Sequence, residues 1–384
     1  DGGDFTMTGG KIEAGWFAVA GNGNYKTQNS IINITDGELI STADYAVYLP
    51  QSGTTTISGG KVYGAAGGVC IQRGTLNVEG TALITSKGTG STGNWGDGTG
   101  GLDCAAINVS GAYGIATVNI KGGTLIAEAK SLITEGTTYT PVINVTGGTF
   151  SDPSVLKYMA TNATVDIKLL SNINIAKTEL ATGYILNAAN ATANLNLNGH
   201  DIINSSETAD ATPFTQIFTV QNGTLNISGN GNVKCDASAT AKDDGYRMVI
   251  EARGHGTVNI HGGSYYNTQK LNTQIDLIYA RENGKINIYG GTFESGKYGT
   301  PNNDTDGRYW VLNLKNTDKN TASIQVSGGT FINFNPANPN MDDNESYLVT
   351  GYEVTRDGSV YTAAHKVNDG RKEYIVGPTS QENR

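Results

Sequence analysis

The phrase Ile286-Asn287-Ile288-Tyr289-Gly290-Gly291-Thr292-Phe293 recurs, with substitutions that keep its pattern, along most of the chain. Close copies occupy residues 118–125, 143–150, 258–265 and 324–331, and looser ones 5–12, 57–62 and 225–231. Repetition at a spacing of a few tens of residues restricts the chain to a stacked architecture, because so short a unit cannot bury its own apolar face. Within a copy, apolar and polar residues alternate with the period of a β-strand. The paired glycines mark a tight turn that accepts positive φ angles. Most copies follow a second apolar strand, residues 277–280 before one and 248–250 before another. A bend, Glu282-Asn283-Gly284 or Arg253-Gly254-His255-Gly256, joins the two. One unit therefore reads strand, bend, strand, Gly-Gly turn, strand, loop.

The double glycines at 122 and 147 are 25 residues apart, and those at 262 and 290 are 28 apart. That is the length of one coil of a parallel β-helix with loops of variable size. Rungs would stack about 4.8 Å apart. Leu125, Phe150, Tyr265, Phe293 and Phe331, beyond the second glycine, are natural inward ladder positions. A β-sandwich with glycine-rich hairpins is the alternative, but hairpins favour Asn-Gly or Asp-Gly turns, whereas this motif keeps one phase and one turn chemistry. The expected fold is all-β: a right-handed parallel β-helix, a solenoid in two tandem or interrupted stacks, its hand taken from the crossover rule. Residues 1–160 form the first stack with a closing segment, 161–350 the second, and 351–384 a C-terminal extension. The break is placed where Phe150 gives way to Ser151-Asp152-Pro153 and Lys157-Tyr158; Pro336, Pro339, Tyr347 and Tyr352 mark a comparable ending after Phe331. Helix is expected only near residues 128–132 and 153–160.

A net charge of −9 with no basic stripe argues against a nucleic-acid partner. No run is apolar and long enough to span a bilayer, so membrane insertion is not expected. No signal peptide begins the chain, and its first residues already belong to a repeat, as in a processed or partial product. The 52 glycines belong to turns, since no collagen-like triplet accompanies them. Cys70, Cys104 and Cys235 lack metal-ligand spacing. Cys70, within Val69-Cys70-Ile71, reads as a buried thiol, with a Cys70–Cys104 bridge as the alternative.

The Gly-Gly-Thr-Phe phrase, the string Leu195-Asn196-Leu197-Asn198-Gly199-His200 and the closing Gly351-Tyr352-Glu353-Val354 resemble glycine-rich, pectate-lyase-like β-helix proteins. Such modules occur in virion proteins of phages infecting gut bacteria and in bacterial surface proteins. The resemblance implies a structural or attachment role on a virion or extracellular surface, without a catalytic residue. The partners it implies are other virion or surface subunits and a cell-surface glycan. By analogy with β-helical fibres, a homo-oligomer, a trimer among them, is expected.

Three short strings look like polygalacturonase motifs: Asp243-Asp244, Gly254-His255-Gly256 and Asn316-Thr317-Asp318. Their order differs from that family's, and its Arg-Ile-Lys element is missing. Asp244 and His255 are about half a coil apart, which points them to different faces, whereas catalytic carboxylates must meet across one bond at about 5–10 Å. Asn302, Asp304 and Asp306 match the first half of a calcium loop, but Asn313 stands where the closing glutamate belongs; no cofactor is expected beyond this weak calcium candidate. Surface binding is better supported. Trp95 and Asn94 sit in a long Gly/Ser/Thr-rich loop, and loops this long on compact stacks are disordered or functional. Tyr266 and Tyr289 fall at polar-facing positions, and Tyr309 and Trp310 add aromatic surface suited to a sugar ring. The expected function is a non-enzymatic structural or attachment protein, with a bacterial adhesin and a β-helical polysaccharide depolymerase as alternatives.

Overall fold

The computed structural model describes residues 2–23, 27–93, 99–136, 138–175, 183–204, 214–235, 246–267, 275–295, 309–339 and 346–367. The chain winds as a parallel β-helix with three faces. In the first stack, strands before the Gly-Gly turn (Gly53–Ile57, Gly74–Val78, Ala116–Ile120, Val142–Val145) form the first face. Strands after it (Lys61–Gly64, Leu83–Ser86, Thr124–Ala127, Thr149–Phe150) form the second. Asp4–Ala14 and Ser30–Ser41 run through both. The third face is a five-stranded sheet from Val19–Ala20 to Lys130–Thr134. Rungs align in register, as Leu76–Val118–Ile143 and Val78–Ile120–Val145 show. Alternate residues such as Leu76, Val78, Val118 and Ile120 are completely buried. Their removal from water, about 25 cal/mol per Å2 of apolar surface, is the main stabilising contribution.

The two glycines of each pair do different work. The second has positive φ throughout: Gly123 +80°, Gly148 +111°, Gly263 +86°, Gly291 +103° and Gly329 +105°. At Gly147, Gly290 and Gly328 the first is required by the close approach of the neighbouring rung. A Cβ on Gly328 would lie 2.2 Å from the Tyr289 carbonyl oxygen, and one on Gly290 2.8 Å from that of His261.

Between the stacks, Pro153–Tyr158 is a 3-10 helix, capped by the Asp152 carboxylate, which accepts the Ser154 N–H at 2.9 Å. Pro153 at the helix start has no N–H to leave unsatisfied. The expected helix near residues 128–132 is absent: Lys130–Thr134 is a strand paired with Ala105–Val109, because cross-strand pairing outweighs the weak helical propensity of that segment. After the 3-10 helix, Met159 bridges Val145 and Thr164–Lys168 pairs with Thr149–Phe150. Thr164–Lys168 in turn pairs with residues 192–196, and that row continues through 224–228, 257–260, 285–288 and 323–326. The strands before Gly-Gly in the second stack thus stack on the strands after Gly-Gly of the first. The motif slips by one face, and the sheet continues through the slip.

In the second stack the first face carries the upstream strands, and Tyr184–Asn196, Phe214–Ser228 and Tyr246–Ile260 turn from it onto the second. The third face runs from Ile173–Ile175 to Gly329–Ile332, and a hairpin, Tyr352–Asp357 with Val360–His365, closes it in antiparallel pairing. The ladder residues divide between faces. Phe150 lies between Leu125 and Ile167 on the second face. Tyr265, Phe293 and Phe331 stack on the third, with centroids 5.0 Å and 5.0 Å apart. All three cysteines are buried thiols outside any disulfide, and Cys70 and Cys104 share a small cluster on the outer side of the third face with Tyr45 and Tyr48. Among the described residues, no helix is long and apolar enough to cross a membrane.

Candidate binding surface on the second stack

Outward residues of the second face form three parallel rows. Thr192, Thr224 and Thr257 align in one, continued by Lys285 and Ser323. Two positions along each strand lies an amide ladder. Asn194 donates from Nδ2 to Asp166 at 3.0 Å, and Asn226, Asn259 and Asn287 each donate to the rung before at 2.8 Å. The ladder is polar, with every donor pointing the same way, so its first member needs only to accept. An Asp166 carboxylate satisfies that position without a donor left over. The first stack carries a shorter equivalent, Asn144 to Asn119 to Asn77, at 3.0 Å per step.

The third row lies beside the Gly-Gly corner. There the rings of His261 and Tyr289 stack at 4.7 Å with 10° between planes, and Tyr289 is 50% exposed. An open groove of about 490 Å3 runs next to them along the corner, with Ser264, Thr292 and Thr330 among its lining residues. The ladder fixes the backbone that carries these rings, since the N–H groups of His261 and Tyr289 both donate at 2.8 Å to the rung below.

The outer side of the first face is different. Val249 and Ile250, like Leu277 and Ile278, all belong to the core, so alternation reverses within these strands. Two outward rows result, Gln216–Met248–Asp276–Trp310 and Thr219–Glu251–Tyr279–Asn313. Although outward, Glu251 is 1% exposed, Asp276 3% and Trp310 8%. Arg281 donates from Nε to Glu251 at 2.6 Å, Arg253 Nε lies 3.9 Å away, and Asn313 donates to Asp276 at 2.9 Å. Burial, with Asp276 nearby, pushes the Tyr279 hydroxyl up, so it stays protonated. Glu251 and Asp276 are on neighbouring rungs and three residues apart in register, which sets their Cα atoms about 11 Å apart.

Of the residues singled out from sequence, Tyr289 stands on the exposed stack. Tyr266 is half-buried on the third face, level with Lys234 and Glu294, so the two tyrosines lie on different faces. Trp310 is buried, its indole Nε1 without a hydrogen-bond partner among the described residues; Tyr309 belongs to the same strand, but its side chain lies outside the described residues. Asn94, Trp95, Asp243, Asp244, Asn302, Asp304 and Asp306 also lie outside them. The stem of the loop bearing Trp95 is tied down, since the Thr99 hydroxyl donates to Asp44 at 3.0 Å. His255 is exposed at the rung of Asn222. Asn316–Asp318 is a 3-10 turn whose Asp318 accepts the Glu282 N–H at 2.6 Å, a bond that fixes a bend and lowers the Asp318 carboxyl from its usual value. Among the described residues no group of His, Cys, Asp or Glu is placed to hold a metal ion. Sequence reasoning missed Glu251; an acidic residue inside the apolar run Met248-Val249-Ile250-Glu251-Ala252 was the available signal. No protein-family model, curated protein or solved structure matches the chain, so the reading of this surface rests on its geometry.

Proposed function

We propose that the protein is a non-enzymatic structural and attachment protein of the pectate-lyase-like β-helix kind. On this reading it works on a virion or extracellular surface and holds a glycan against the second face of its second stack. The observation that carries the reading is the exposed His261–Tyr289 stack at the edge of the threonine and asparagine rows. A sugar ring offers an apolar C–H face to an aromatic platform, and its hydroxyls exchange bonds with amides and hydroxyls. A surface already ordered by its own ladder loses little entropy on binding. Assembly with neighbouring subunits, as a homo-oligomer, completes the proposal.

Affinity electrophoresis on neutral and acidic bacterial polysaccharides tests it. At least one should retard the protein, and Tyr289→Ala should weaken retention about fivefold, the equivalent of about 1 kcal/mol. Co-sedimentation with virions favours the phage setting, and with cell envelopes the adhesin. Retention on no polysaccharide and sedimentation with neither fraction would overturn the proposal.

A further inference from the structure

Away from the second stack, four successive rungs of the first meet at the corner between its third and first faces. There Ser52, Arg73, Tyr113, Ile115 and Tyr139 line a pocket of about 430 Å3. Backbone bonds hold its walls: Tyr113 N–H to the Gln72 carbonyl at 3.2 Å, Gly74 N–H to that of Ile115 at 3.2 Å, and Tyr139 N–H to that of Gly111 at 3.2 Å. The Arg73 stem lies flat over Gly114, where a Cβ would come within 2.8 Å of Arg73 Cδ. From the guanidinium, Nη1 donates to the Tyr113 carbonyl at 3.1 Å. Among the described residues Arg73 has no carboxylate partner, although acidic residues outnumber basic ones by 35 to 26. A half-buried guanidinium, anchored through one nitrogen, thus presents the rest of its fork to the cavity. Apolar surface surrounds it, with Ile115 60% and Tyr139 47% exposed at the rim.

We propose that this pocket binds a carboxylate-bearing sugar, a uronic acid unit of an acidic glycan. The Arg73 fork matches the two oxygens of a carboxylate. Tyr139 and Ile115 offer the apolar contact that a pyranose face seeks. The site is separate from the His261–Tyr289 surface and does not depend on it.

Titration calorimetry of the whole chain with methyl glucuronide, methyl glucoside and acetate tests the assignment. The glucuronide should bind at least about tenfold more tightly than either of the others, as one charge-assisted pair plus one stacked ring requires. Arg73→Met should erase the preference for the glucuronide over the glucoside, while Tyr139→Ala should weaken both sugars and leave the preference. Because Tyr139 is at the rim, its loss does not threaten the fold, and the melting curve of Arg73→Met shows whether that variant is folded. Equal affinity for glucuronide and glucoside, acetate binding as tightly as the glucuronide, or no binding at millimolar concentration would each overturn the proposal. Unchanged binding in both variants would do so as well. Retention of the Arg73→Met variant on neutral polysaccharide, with glucuronide binding lost, separates this pocket from the second-stack surface.

Discussion

Phe150 and Phe331 hold the same place in their Gly-Gly-Thr-Phe phrases, yet the rung beyond Phe150 is Ile167 in a parallel strand and the rung beyond Phe331 is Tyr361 in an antiparallel one. The approach is alike in both cases. Val145 and Val326, in the strands before the two turns, are each followed on the next rung by a single parallel bridge, to Met159 and to Leu348. A rung reduced to a single bridge therefore ends each run of regular repeats. After the first the chain resumes winding with its motif moved by one face; after the second, a hairpin covers the edge and leaves fewer backbone groups open to pairing.

The aromatic ladder should carry more stability than the exposed stack. Phe293 is completely buried between two rings, so Phe293→Ala should cost about 3–5 kcal/mol. Tyr289→Ala, at a half-exposed site, should cost within about 0.5–1 kcal/mol. Urea denaturation followed by circular dichroism separates the two, and equal midpoints would contradict the ladder assignment.

Replacing either glycine of one pair should destabilise, for unlike reasons. Gly328→Ala forces a Cβ into the Tyr289 carbonyl oxygen, so the rungs must separate. Gly329→Ala meets no contact closer than 3.2 Å but is strained by its φ of +105°, at roughly 1–3 kcal/mol. Thermal melts should place Gly328→Ala lower, and Gly329→Asn should recover part of the loss at 329, since asparagine tolerates positive φ better than alanine.

The one-way amide ladder makes Asn259→Asp pH-dependent. An ionised carboxylate still accepts from Asn287 but sets an oxygen against the Asn226 oxygen, at a cost of about 1–3 kcal/mol. Protonation restores a donor, so the folded state favours the protonated acid and holds its pKa above the unfolded value. The variant should approach wild type below the unfolded carboxyl pKa of about 3.9 and lose stability as pH rises through the folded value. A variant with wild-type stability at pH 7 would remove the ladder from the energetic account.

Glu135 should show the same sign in the native chain. Burial raises its carboxyl above the ordinary value, although it accepts the Asp103 N–H at 2.6 Å. The folded state then binds the proton more readily than the unfolded chain, so stability drops as pH rises from the ordinary carboxyl range through the raised value. Glu135→Gln keeps an acceptor and removes the charge. It should flatten that part of the stability–pH curve without lowering neutral-pH stability, as denaturation midpoints across pH 4–7 would show.

Glu251→Gln should destabilise the second stack by about 1–2 kcal/mol, because it removes the buried carboxylate bonded to Arg281 Nε and leaves Arg281 with Glu282 as its counter-charge. The loss is placed below that of a fully buried pair because Arg281 retains 24% exposure. Replacing both Glu251 and Arg281 by apolar residues should recover most of it, as a double-mutant cycle would measure.

The repeat was legible because its causes are local. Alternation in Val118-Asn119-Ile120 sends two side chains inward and one outward whatever surrounds it, and Gly123 adopts a φ that other residues avoid. Rung spacing, inward ladders and the exposure of Tyr289 all follow from that period. The face on which a rung lands does not, because it is set by how residues 151–163 cross between coils, where a 3-10 helix stands in place of a strand. The outward position of Glu251 was hidden for a related reason. An apolar run reads the same with or without a reversal of alternation, and only pairing with Leu277–Ile278 and Ile217–Phe218 revealed one. The sequence alone thus determined that this chain stacks, with what period, and which side chains fill its interior. Tertiary structure alone decided which distant residues share a surface, as Arg73 and Tyr139 do, because adjacency between coils depends on how many residues each loop inserts between rungs.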